Sequence, residues 1–217
     1  MGSKTFTGYL LALGPIVMLT TWIFLWDALI PGAPEGAIGE AKWLADIEGA
    51  MENLALTKLV SLIGLGGMMA MALGYTLWAR LLQGEGKKGA TLATVAAIAI
   101  PVIAAGMMIS MDFNVGATNA FEKGDTAGAI ILGAVADYSG GDILWTMVLM
   151  NVSFIGIATV LQPTDKVSRS IGGILAASTL VMFASWFATF EGLDFLWMLW
   201  MLLTVIAGVN LIIRKKA

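Results

Sequence analysis

LVSLIGLGGMMAMALGYTLWA, from Leu59 to Ala79, carries no charged residue and lies between Lys58 and Arg80. A helix of about 20 apolar residues, rising 1.5 Å each, crosses the hydrocarbon core of a bilayer. This stretch meets that length, so it predicts a membrane-spanning helix over 56–82. Five more segments read the same way, near 8–30, 90–111, 142–162, 171–190 and 195–213. The expected fold is therefore all-α, one domain over 1–217, built as a polytopic bundle of six transmembrane helices. Composition agrees: 59% of residues are hydrophobic and 12% charged, about half the charged fraction of a soluble domain.

Cys and His are both absent, which excludes much chemistry. Without Cys there is no disulfide, thiolate nucleophile or iron–sulfur cluster. Without His there is no imidazole metal site and no Ser-His triad. No phosphate loop or metal-ligand spacing stands out either, so no cofactor and no catalytic residue are expected.

Charge sets the expected orientation. Lys4, Arg80, Lys87, Lys88, Lys166, Arg169, Arg214, Lys215 and Lys216 fall on one side with only Glu85 and Asp165. The other side has Lys42, Lys58 and Lys123 against thirteen acids. This bias places both termini in the cytoplasm under the positive-inside rule. The first apolar segment is too long for a signal peptide and lacks a small-residue cleavage site. Phe6 breaks the myristoylation pattern.

Two connections, 31–55 and 112–141, are long. In the first, Leu44, Ile47, Met51 and Leu54 form one helical stripe, predicting an amphipathic helix that lies on the outer membrane surface or caps the bundle. In the second, DTAGAIILGAVAD (125–137) is too short to span; it is either an interfacial or buried helix or a re-entrant segment beside a cavity.

Within the spans, Gly66, Ala70 and Gly74 recur every four residues and predict a close-packing face, as do Gly173 and Ala177. Pro15 and Pro101 remove backbone hydrogen bonds and predict bends. Most Trp residues lie near span ends, as an interfacial belt requires; Trp22 and Trp186 lie deeper and read as packing anchors. Asn151 is the amide nearest a span centre and is expected to hydrogen-bond across helices. Asp27, Asp112 and Glu191 are expected to end the three outward-running helices. Three acids at one level could bind a cation such as calcium, although acids are also simply what an outer face allows. TWIFLWD, GMMISMD and SWFATFE align on these acids. They suggest either a threefold hairpin repeat or the shared vocabulary of apolar helices, the simpler account.

The segments ENLALTKLVSLIGLGGMMAMALGYTLWARLLQ, ATLATVAAIAIPVIAAGMM and LQPTDKVSRSIGGILA together resemble a group of small prokaryotic membrane proteins. These have six or seven helices and are classed only as a domain of unknown function. The resemblance implies the bundle but no activity, and the His often found in the fourth-helix region of that group is missing here. Taken together, the residues predict a non-catalytic component of the cell membrane. Its partners would be the bilayer and either another protein or a second copy of itself, with no nucleic acid. A small permease or cation channel with acids at its outer mouth is the alternative.

Overall fold

The computed structural model describes residues 3–138, 141–188 and 195–214. Among these every regular element is a helix: α1 (Ser3–Leu19), a π-helix (Thr20–Trp26), α2 (Asp27–Leu29), α3 (Gly39–Glu52), α4 (Leu54–Leu82), α5 (Ala90–Glu122), α6 (Thr126–Tyr138), α7 (Gly141–Leu161), α8 (Lys166–Ala188) and α9 (Phe195–Ile213). Among the described residues six candidate spans are long and apolar enough to cross a membrane: Ser3–Leu29, Leu54–Leu82, Ala90–Glu122, Thr126–Leu161, Lys166–Ser185 and Phe195–Ile213. Large apolar side chains such as Leu62, Ile98 and Val102 are about two-thirds exposed. Such faces suit lipid rather than water.

Element ends follow local chemistry. Asn53 stops α3 and starts α4, its Oδ1 accepting the Leu56 N–H at 3.2 Å as an N-cap. α5 runs past Asp112 because no breaker intervenes before Gly124. There φ is +81°, and the Asp125 N–H reaches back to the Ala120 carbonyl at 3.0 Å, a helix end that favours glycine. Asp112 therefore lies within a helix of 33 residues rather than at its terminus. Likewise, α8 begins before the expected 171, at Lys166, because Asp165 Oδ1 accepts the Ser168 N–H at 3.0 Å. The 125–137 run is a regular helix, capped by Asp125 Oδ1 on the Gly128 N–H at 2.9 Å. Both prolines sit inside continuing helices.

The chain divides into two compact units. The first holds 1–16, 67–104 and 144–217; the second holds 17–66 and 105–143. In the first unit, α1, α4 and α9 touch backbone to backbone. A Cβ on Gly208 would stand 2.6 Å from the Ala12 nitrogen and 2.6 Å from the Gly8 carbonyl oxygen. A Cβ on Gly14 would stand 2.6 Å from the Met71 nitrogen, and one on Gly156 2.9 Å from the Ala176 nitrogen. Only glycine permits such approach, which lets packing replace the missing hydrophobic drive in lipid. In the second unit, α3 packs on α6 and on the last turns of α5 through Ile47, Ala117 and Ala129, flanked by Met51, Phe121 and Leu132.

Candidate functional site

The second unit has an open cavity of about 560 Å³, within the ~300–1,000 Å³ typical of small-molecule sites. Three tryptophans wall it: Trp22 and Trp26 from the π-helix and Trp43 from α3. Asp46, Lys58, Ser61, Asn114 and Asp137 contribute polar groups. Two of these walls, Trp22 and Trp43, are fixed by neighbours. Trp22 is seated on α4 at Gly64, where a Cβ would fall on the indole Nε1. π-Helical turns are rare and recur at functional sites; here one carries two of the three indoles. The Thr21 hydroxyl, buried beside them, donates back to the Val17 carbonyl at 2.7 Å.

Trp43 is held from α6. Its Nε1 donates to Asp137 Oδ2 at 2.6 Å, the oxygen that also receives Lys42 Nζ at 2.7 Å. The ring of Tyr138 meets Trp43 edge-on, with centroids 5.8 Å apart. Hydrogen bonding to that carboxylate, opposed by partial burial, holds the Lys42 ammonium above its usual range. Below α2 the chain closes onto α3: the Ala33 N–H donates to Asp46 Oδ1 at 2.8 Å, and a Cβ on Gly49 would fall on the Pro31 carbonyl oxygen. Asp137 and Asp46 are thereby engaged, leaving indole faces, Ser61, Asn114 and Lys58 to meet a guest. Indole faces bind apolar groups and cations.

Of the residues singled out from sequence, Trp22, Ile47 and Leu54 line this cavity, and the candidate acids, the small packing residues and Asn151 fall elsewhere. Asp27 and Asp112 are exposed, and Glu191 lies outside the described residues. Among the described residues no three acids could together hold a metal ion. Gly66 is exposed, with nothing near its Cβ position; Gly67 makes the close contact instead, its carbonyl oxygen 2.9 Å from a Cβ on Gly14. Ala70 is half-buried. Gly74 does meet α1, at Leu11 Cγ 2.9 Å from its Cβ position. On α8 the packing face is one residue over: Gly172 and Ala176 meet Gly156, while Gly173 has only ordinary contact with Val160 and Ala177 is exposed. Asn151 is buried, but its Nδ2 donates to Met147 of its own helix at 2.8 Å, not to a neighbour. Its Oδ1 has no donor. The side chain of Trp186 is outside the described set.

Missed entirely was the polar centre of the first unit. Trp200 is fully buried and its Nε1 donates to the Tyr75 hydroxyl at 2.9 Å. Thr204 Oγ1 donates to the Trp200 carbonyl at 2.8 Å. Its proton being used there, Tyr75 must donate the bond between the two hydroxyls. The result is a one-way chain, indole to phenol to threonine to backbone. Trp145 and Trp197 pack edge-on against Trp200 and each other, with centroids 5.0 to 6.0 Å apart. Because Trp200 lies near the start of its span, position alone made it look interfacial. No protein-family model, curated protein or solved structure matches the chain.

Proposed function

We propose that this is a non-catalytic, multi-pass protein of the cell membrane, termini in the cytoplasm, that binds a small molecule at its outer face. The molecule is compact and largely apolar with one polar end, and it sits in the cavity walled by Trp22, Trp26 and Trp43. The observation that carries this is that cavity: three indoles, two of them held by neighbours, around a volume fit for a guest. The absence of Cys and His supports a binding rather than a chemical role. α3 and α6 form the outer cover in this reading, and the 125–137 run belongs to that cover as an interfacial helix. The permease alternative gains nothing from the first unit, where Leu11, Tyr75, Ile100, Ile155, Leu175 and Trp200 are each under 2% exposed.

A neutral naphthylamine dye, titrated into the protein in lipid nanodiscs, tests this. It should saturate at one site per chain and quench tryptophan emission. Trp26→Ala and Trp43→Ala should each weaken it by about tenfold, the scale of a lost aromatic wall. Trp197→Phe, in the first unit, should leave it unchanged. Unsaturable partitioning, or affinity indifferent to Trp26 and Trp43, would reject the pocket as the binding site.

A further inference from the structure

The first unit has a cavity of its own, about 450 Å³, where α4, α7 and α9 end and α8 begins. Three cations from three elements line it: Lys4 on α1, Lys87 in the α4–α5 turn and Arg214 after α9. Among the described residues Asp165 is the one carboxylate in the lining, and it is already engaged. Its oxygens receive the Ser168 N–H at 3.0 Å, the Ser168 hydroxyl at 2.8 Å, and the Arg214 guanidinium. The Ser168 backbone N–H above all, with its hydroxyl and Arg214, pulls this carboxyl down to about 2. Asp165 thus stays ionised and pairs with Arg214, while among the described residues the Lys87 ammonium meets a carbonyl and no carboxylate.

The Lys87 ammonium is placed rather than free-swinging. Gly84 and Gly86 take positive φ, +146° and +75°, and fold the turn back on itself. The Lys87 stem then lies over Gly84, its Cε 3.1 Å from where a Cβ would stand. Its Nζ makes one long bond, 3.3 Å, to the Leu81 carbonyl. Two of its three donors remain for a ligand. Trp78, Leu82, Ile171 and Leu211 give the same cavity an apolar wall. Gln162 and Asn210 are committed to the frame, donating to the Leu82 carbonyl at 2.6 Å and to Ser168 Oγ at 3.0 Å.

We propose that this cavity binds a phosphate-bearing amphiphile, an anionic membrane lipid, with its phosphate on Lys87 and Arg214 and its chains along Trp78 and Leu211. A fork of guanidinium donors matches phosphate geometry. Basic pockets at span ends are where anionic headgroups bind. The apolar wall distinguishes a lipid from free phosphate, which would leave half the cavity unmatched. This site is independent of the indole cavity, needing only that the six helices span.

Native mass spectrometry of the full chain in an uncharged detergent provides the test, with phosphatidylglycerol, phosphatidylcholine and inorganic phosphate as probes. Phosphatidylglycerol should bind one per chain, at least about tenfold tighter than the zwitterionic lipid or phosphate alone. Lys87→Glu should abolish that preference. Lys88→Glu, with the same net charge change on an exposed neighbour outside the cavity, should alter it less than about twofold. Equal loss in both variants would reduce the effect to surface charge and overturn the site. Equal binding of both lipids would overturn it too. Inorganic phosphate binding as tightly as the lipid would reassign the cavity to a free anion.

Discussion

Gly208→Leu is expected to unfold the first unit at denaturant concentrations the parent chain survives. The atoms in the way are backbone: the Ala12 nitrogen and the Gly8 carbonyl oxygen, each 2.6 Å from the added Cβ. A side-chain end could rotate aside, but a helix axis cannot move without separating α1 from α9 along its length. Overpacking ordinarily costs about 1–3 kcal/mol, and a leucine against backbone belongs at or above the upper end. Gly208→Ala should cost about 1–3 kcal/mol for the same reason at one carbon. Gly66→Leu is the matched control on α4. Nothing stands near its Cβ position, and leucine is the better helix former, so stability should stay within about 0.5 kcal/mol or rise. Unfolding by sodium dodecyl sulfate in mixed micelles, followed by circular dichroism, measures all three. Equal losses at Gly208 and Gly66 would mean that the α1–α9 contact is misplaced.

Trp200→Ala should be nearly as damaging, at about 3–5 kcal/mol. It removes a fully buried indole, its two aromatic neighbours' contacts, and the donor that begins the chain through Tyr75 to Thr204. Tyr75→Phe isolates the polar share. It keeps the ring that stacks on Trp78, with centroids 6.3 Å apart, but orphans the buried indole N–H. That penalty is about 1–3 kcal/mol. Thr204→Val deletes the acceptor of the phenol and the back-bond to the Trp200 carbonyl. Because the chain runs one way through the phenol, the Tyr75→Phe/Thr204→Val pair should cost less than the two singles added. Additive losses in the same denaturation series would show that the hydroxyls act separately.

These two predictions also mark what could be read from sequence. The spans were legible because an uncharged run such as Leu59–Ala79 has few other uses. The packing faces were not. In lipid both sides of a helix are apolar, so periodicity does not tell protein from bilayer. GLGGMM holds Gly64, Gly66 and Gly67: the first seats Trp22, the last meets α1, and the middle one, chosen for its spacing with Ala70 and Gly74, points to open space. The same one-residue slip put Gly173 and Ala177 where Gly172 and Ala176 pack. Asp112 looked like a helix end because acids cluster in the connections, yet only Gly124 supplies a stop. This also weakens the repeat, since TWIFLWD is largely π-helical and GMMISMD lies inside a regular α-helix. Trp43 lies more than ninety residues from Asp137 and Tyr138, and no local pattern joins it to them.

Since the chain has no cysteine, a single Ser61→Cys substitution would place one thiol in the indole cavity and nowhere else. Labelling of that thiol in sided proteoliposomes by a membrane-impermeant maleimide tests the central claim directly. The outward-facing binding pocket predicts modification from the outer side only, slowed by saturating dye. Modification from the cytoplasmic side as well would mean a path through the protein, and indifference to dye would mean an unoccupied groove; either result would contradict the account.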